Sequence, residues 1–319
     1  MNTKLISKWK KVLFLFLCGV VCLLIFLKSD STENFNWQFF YEQNPIYERN
    51  SNFTLTPHLK CESEDYFLVL LVATRPNEVE TRRAIRSTWG HKRMWLGKRV
   101  VSLFLIGKDG EHQSHGKLSM EEEYAQYGDI ISQDFIESYN NLTLKTIMAF
   151  QWIAEFCPKA EYMMKVDSDV FVNVKNLVIF LLKINKNISS DFFTGYPFIN
   201  TKPHRGFVTK AYISKTDYPF SMYPPYCSGL GYVLSGDLAL KIYKLMSHVK
   251  PFRFEDAYVG VCLKILGVNI HIPEKELFFV QKLQFDKCLF SRLIAVHDVT
   301  PQQLNSYWKD LKSLEINTC

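Results

Sequence analysis

Two apolar runs of strand length, YFLVLLVAT from Tyr66 and RVVSLFLIG from Arg99, constrain the fold of this chain more than any other feature. A strand with one wet face alternates apolar and polar residues. These runs leave no polar face, so each must be covered on both sides. Between them, VETRRAIRSTWG places Ala84, Ile85 and Trp89 at helical spacing, with Gly90 as a stop. DIISQDF reads as a third, short strand. NNLTLKTIMAFQWIAEFCP then sets Leu142, Ile147, Phe150, Ile153, Ala154 and Cys157 on one helical stripe, with Pro158 as terminator. AEYMMKVDSDVFVN returns to strand. Such alternation over roughly a hundred residues predicts an α/β fold, a mostly parallel sheet flanked by helices. Ligands of such sheets bind beyond the carboxyl ends of the strands. No internal repeat and no Gly-rich phosphate loop is present.

The stretch YMMKVDSDVFVN carries the chemistry. Asp167 and Asp169 flank Ser168, and Val166, Val170, Phe171 and Val172 around them all favour a pleated, buried surface. Two carboxylates in apolar surroundings repel each other and lose hydration, so something positive must lie between them: an Arg, a Lys or a metal ion. Oxygen donors with room for water suit a hard divalent cation, Mn²⁺ or Mg²⁺, whose open positions accept phosphate oxygens of a nucleotide. His297, closing the apolar run LIAVHD, is the candidate third ligand, with a structural histidine as the plainer alternative. Asp256 opens a helix reading Tyr258, Val261, Cys262 and Leu266, and could be only its N-cap.

The formal charge of +6 is concentrated at one end. Lys4, Lys8, Lys10, Lys11 and Lys28 supply five charges where no acid occurs, which leaves +1 (six less five) for the rest. Nothing in this distribution suggests nucleic acid. Val12–Leu27 is uncharged and would span roughly 24 Å as a helix, enough for a thin membrane. A cleaved signal peptide competes, but Phe26, Leu27 and Lys28 stand where a small-x-small cleavage site belongs. The preceding lysines predict a cytosolic N-terminus and a lumenal remainder. Beyond the span, Cys61, Cys157, Cys227, Cys262, Cys288 and Cys319 show no C-x-x-C spacing, so disulfides in an oxidising lumen are expected rather than zinc. Sequons at Asn52, Asn141 and Asn187 agree with that compartment.

RRAIRSTWG, YGDIISQDF, NNLTLKTIMAF, MMKVDSDVFVN, FFTGYP, YPPYCSGLGYVLS, FEDAYVGVCL and AVHDV occur in one order across roughly residues 60–300. That series resembles the β-1,3-glycosyltransferases of glycosyltransferase family 31. The resemblance implies a GT-A type nucleotide-sugar transferase fold behind a single transmembrane helix: cytosolic tail 1–11, anchor 12–27, lumenal stem 28–60 and lumenal catalytic domain 61–319, in the Golgi membrane. It implies that Asp167 and Asp169 serve a metal–diphosphate site, that His297 completes the metal shell and that Asp256 is the catalytic base. Arg82, Arg86 and Lys145 are candidate UDP-sugar contacts, each with a solvated helix charge as its alternative. Tyr223, Tyr226 and Tyr232 are candidates to stack on acceptor sugars or to fill the core. Ala257 stands where relatives usually have Val, and Ser168 where Thr is common, neither touching a charged group. Several stretches are most similar to family members that move N-acetylgalactosamine from UDP-GalNAc onto a terminal galactose of a glycolipid. Galactosyl transfer from UDP-Gal is the competing expectation, and a non-catalytic lumenal lectin the remote one. The resemblance also leaves room for homo- or hetero-oligomers with other Golgi transferases.

Overall fold

The computed structural model describes residues 35–46, 52–59, 61, 64–91, 93–108, 119–184 and 190–313. The expected anchor at 12–27, the tail before it and the sequon at Asn187 lie outside these residues. No helix among the described residues is long and apolar enough to cross a membrane.

The strands run in chain order as β1 (Phe53–Leu55), β2 (Leu68–Ala73), β3 (Met94–Trp95), β4 (Lys98–Lys108), β5 (Ile130–Ile136), β6 (Tyr162–Asp167), β7 (Phe171–Val172), β8 (Phe193–Phe198), β9 (Tyr226–Ser235), β10 (Phe278–Phe279) and β11 (Ala295–Val296). The helices are α1 (Val79–Ser87), α2 (Met120–Tyr127), α3 (Leu142–Phe156), α4 (Val174–Lys183), α5 (Gly236–Met246), α6 (Glu255–Leu266), α7 (Lys287–Phe290) and α8 (Pro301–Lys312). The main sheet has the order β1-β5-β4-β2-β6-β9-β8, with β3 appended to β4, while β10, β11 and β7 form a second, small sheet.

The α/β expectation holds, but the sheet is mixed rather than mostly parallel. β5, β4, β2 and β6 are parallel, whereas β1, β9 and β8 join antiparallel at the two edges. The apolar content of YCSGLGYVLS marks a buried strand without showing its direction, which long-range pairing decides. Both faces of β2 are covered, as its unbroken run requires. Leu68, Leu70 and Val72 pack into a core with Ala84 and Ile85 of α1, Val174 and Leu177 of α4 and Leu304 of α8. The alternate Val69 and Leu71 are equally buried on the opposite face. There α3 lies between the sheet and α5 and α6, and it is buried on nearly every side, with Thr143, Lys145, Thr146 and Gln151 among its buried residues.

Two further expectations are corrected. Part of the expected stem belongs to the folded domain: β1 pairs with β5, Tyr41 bridges to Val249, and Phe40 is buried with its ring against Phe252. Among the cysteines, Cys61 bonds Cys157 and Cys288 is oxidised too. Cys227 on β9 and Cys262 on α6, however, are buried free thiols. A second, small unit comprises, among the described residues, Phe35–Asn36 and Lys202–Met222. Within it the Arg205 guanidinium donates to the carbonyls of Ile213, Ser214, Tyr218 and Phe220, so one side chain satisfies four turn carbonyls.

Candidate active site

β6 ends at Asp167, in register with Ala73 at the end of β2, so this carboxylate stands at the carboxyl edge of the parallel strands. The chain turns through Ser168–Val170 into β7, which pairs antiparallel with β11, Phe171 opposite Val296. That register sets His297 across from Val170 and therefore beside Asp169. His297 Nε2 is 3.4 Å from Asp169 Oδ2, and one ligand atom from each of Asp167, Asp169 and His297 lies within 4.8 Å of the others. Two carboxylates and an imidazole, half-buried or exposed at a strand edge, fit a hard divalent cation with positions left for other ligands. Asp169 bonds His297, which raises the imidazole pKa against the opposing effect of burial. Burial pushes the Asp169 carboxyl up, but the His297 bond and charge outweigh it and leave the group below its usual range.

Beneath the cluster lies Lys165, which sequence reasoning passed over. Its ammonium donates to Asp167 Oδ1 at 2.6 Å, Glu255 Oε1 at 2.8 Å and the Gly229 carbonyl at 2.9 Å. Burial alone would lower its pKa, but the two carboxylates raise it instead, so the group stays charged. Glu255 Oε2 accepts from Thr146 Oγ1 at 2.8 Å and Tyr232 OH at 3.0 Å, which leaves both carboxylate oxygens satisfied. Asp167 keeps a raised pKa, chiefly from burial, with Lys165 opposing.

Asp256 is the second residue of α6 and half-buried. It is no mere N-cap: the capping position is Phe254, which makes no side-chain cap bond. Its Oδ1 accepts from Ala257 N at 2.8 Å and its Oδ2 from Gly229 N at 3.2 Å. Those bonds fix the carboxylate, while burial first and the neighbouring Glu255 charge second push its pKa up to about 7. A carboxylate at that value is poised to accept a proton near neutrality.

The other predicted residues are placed as follows. Arg82 is buried with its donors on Glu123, Arg75 O and Pro76 O, and Arg86 pairs with Glu123 and Asp129. Neither arginine is brought to the carboxylate cluster; both brace α1 against α2 and the loop before β5. Nor is either the solvated helix charge of the alternative reading. Lys145 is buried, donating to Glu137 and to the carbonyl of Thr74 just past β2, one strand from Asp167. Tyr232 and Tyr223 are buried, and Tyr232 belongs to the Glu255 network, so neither presents a face to a sugar. Tyr226 is half-buried against Phe198 and Tyr223. Asn52 is exposed, while Asn141 is half-buried and its amide donates to Ile136 O. Lys165 had a sequence signal: a charge inside YMMKVD, two residues before Asp167 and hence on the same strand face. Glu255 and Gly229 had none, because their roles arise from the approach of α6 to β9.

Comparison with known proteins agrees. A family model described as Galactosyltransferase matches residues 80–274. The rat UDP-GalNAc:beta-1,3-N-acetylgalactosaminyltransferase 1 is 49% identical over 98% of this chain and 94% of its own. Human beta-1,3-galactosyltransferase 5 is 38% identical, with 97% and 98% covered. A solved glycosyltransferase involved in the glycosylation of the major capsid of PBCV-1 aligns over 76% of this chain and 98% of that one, at 16% identity and a TM-score of 0.40. The chain belongs to the galactosyltransferase family, and it is an enzyme, a glycosyltransferase, as its motifs led us to expect.

Gly229 is the tightest point of the site. A Cβ there would stand 2.8 Å from Glu255 Oε1 and 3.7 Å from both Asp256 Oδ2 and Lys165 Nζ. Gly229→Ala is expected to lower kcat by about a hundredfold, the usual cost of displacing a reacting group by an ångström. The melting temperature should move by only a few degrees. Paired turnover and thermal-melt measurements check this.

Proposed function

We propose that the protein is an inverting β-1,3-glycosyltransferase. In this reading it moves N-acetylgalactosamine from UDP-GalNAc onto the terminal galactose of a globo-series glycolipid, converting globotriaosylceramide to globoside. The observation that carries the reading is the pairing, on one sheet edge, of a carboxylate–imidazole cluster with a separately held carboxylate, Asp256, of raised pKa. The donor assignment is supported by the 49% identity to the rat enzyme named for UDP-GalNAc. A UDP-Gal donor is the second reading, favoured by the 38% identity to human beta-1,3-galactosyltransferase 5. We read the fold as GT-A type and the chain as a single-pass type II protein of the Golgi membrane, with Asn52, Asn141 and Asn187 as glycan sites and contacts to other Golgi transferases.

The chain's residues divide the work. Asp256 accepts the proton of the acceptor hydroxyl as its oxygen bonds to the anomeric carbon. The bond from that carbon to the diphosphate oxygen breaks, and UDP departs with the electron pair. Attack from the face opposite UDP gives inversion. Asp167, Asp169 and His297 would hold Mn²⁺ or Mg²⁺, which when bound offsets charge on the diphosphate. Lys165 bonds both Asp167 and Glu255 and holds them in place, so the spacing between the nucleotide-side carboxylates and the base is fixed before substrate arrives.

Purified full-length protein assayed with UDP-GalNAc, UDP-Gal and UDP-GlcNAc should consume UDP-GalNAc; consumption of UDP-Gal alone would replace the first reading with the second. Asp256→Asn should lower kcat by about 10²–10⁴, the range of general-base catalysis, with UDP affinity retained. Because the raised pKa means that Asp256 gains a proton as pH falls through about 7, wild-type activity should decline on that acid side. The acid limb should vanish from the residual rate of the Asn variant. Asp169→Ala should weaken manganese-dependent UDP binding measured by calorimetry, by about tenfold or more as expected for loss of a metal ligand or its support. Unchanged affinity would count against the metal assignment.

A further inference from the structure

The stretch GFVTK, 206–210, finds no use in the carboxylate cluster, yet it holds the most exposed large apolar side chains among the described residues. Phe207 is 83% and Val208 100% exposed. Isolated apolar side chains on a surface are ordinary. Two adjacent ones at a turn tip, both almost wholly in water, are not. The turn carrying them is also rigidly built. Arg205 clamps four carbonyls of the unit, Ile213 N donates to His204 O and Tyr212 N to Thr209 O, and the Phe207 ring lies 4.8 Å from that of Tyr212. Around the tip stand the exposed Lys202, Lys210 and Lys215, and Asp217 is the single acid between residues 202 and 222. An apolar point flanked by cations suits the boundary between headgroup phosphates and acyl chains. Reach agrees. Phe35 packs against Phe220 of the same unit, the tilted rings 5.3 Å apart at their centroids. The eight residue steps from Leu27, the end of the apolar N-terminal stretch, to Phe35 extend at most about 28 Å. Where the N-terminal stretch lies in a bilayer, this unit is held close to its surface.

We propose that the Phe207–Val208 tip inserts into the lumenal leaflet, with Lys202 and Lys215 on headgroup phosphates, and seats the enzyme on the membrane holding its acceptor. This rests on the proposed anchor and glycolipid acceptor, and it adds a lipid-binding surface to them. The Tyr212 contact and the Arg205 clamp keep the tip from folding back on itself, so little ordering cost opposes insertion.

The test uses full-length protein reconstituted into vesicles of phosphatidylcholine with roughly one quarter phosphatidylserine, where headgroup attraction should operate. A bimane fluorophore is attached at Val208→Cys and, as the comparison, at Glu80→Cys on α1. Lipids brominated near the headgroup should quench the first probe at least about twofold more than the second, and removal of phosphatidylserine should weaken the difference. Equal quenching at both positions overturns the proposal. So does energy transfer between differently labelled copies without lipid quenching, which would make the tip a protein contact. In the same vesicles the double variant Phe207→Asp, Val208→Asp should raise the apparent KM for embedded glycolipid by about tenfold. Its KM for UDP-sugar and for the free acceptor saccharide should remain unchanged. A uniform loss across all three substrates would mark a folding defect and overturn the assignment. Selective quenching at position 208 in a protein that transfers to no glycolipid would leave the lipid surface standing and remove the acceptor reading instead.

Discussion

The ammonium of Lys165 lies where three things meet: the last residue of the central strand, the first turn of α6 and the backbone of β9. Burying a lysine costs several kcal/mol unless its charge is matched. Here Asp167 and Glu255 match it, and the Gly229 carbonyl takes another of its protons. Removing any member would strand a charge in a place water scarcely reaches. The spacing between Asp167 and Asp256 is therefore set by a buried ionic knot, and the geometry of the candidate site inherits its rigidity from that knot rather than from the surface loops.

Around the knot, topology does the rest. The parallel strands β2 and β6 end level with each other, which raises Asp167 to the sheet edge. The small sheet then folds a distant stretch back over it, and one antiparallel register places His297 beside Asp169. Glycine contributes by omission: at position 229 only a missing Cβ lets helix and strand approach closely enough for Lys165 to reach both carboxylates. Arg82 and Arg86 show the converse. Basic residues on a helix near the carboxyl edge of a parallel sheet invite a functional reading, but Glu123, Asp129 and the carbonyls of Arg75 and Pro76 already take their donors. They hold up the wall of the site without touching its centre.

Much of this was legible in the chain. Runs such as YFLVLLVAT announced doubly covered strands because burial on both faces removes alternation, and every strand and helix read from the first half is present. The carboxylate pair stood out because two charges in an apolar strand demand a counter-charge. Three kinds of candidate were open, and Lys165 supplies one of them from the same strand while the cluster with His297 has the chemistry of another. Less visible were the direction of β8 and β9, the docking of residues 37–46 and 52–59 and the two unpaired thiols Cys227 and Cys262. Each depends on which distant segments meet, and composition does not carry that information.

The sequence alone thus determined the class of fold, the acidic strand end and the candidates Asp167, Asp169, Asp256 and His297, since local periodicity and the cost of buried charge act on neighbours along the chain. The tertiary structure decided which of them share a site, that Lys165, Glu255 and Gly229 tie them together, and that Tyr232, Arg82 and Arg86 serve the framework. Those outcomes turn on register and on the close approach of a helix to a strand, contacts between residues as far apart as 165 and 255, which no pattern of near neighbours encodes.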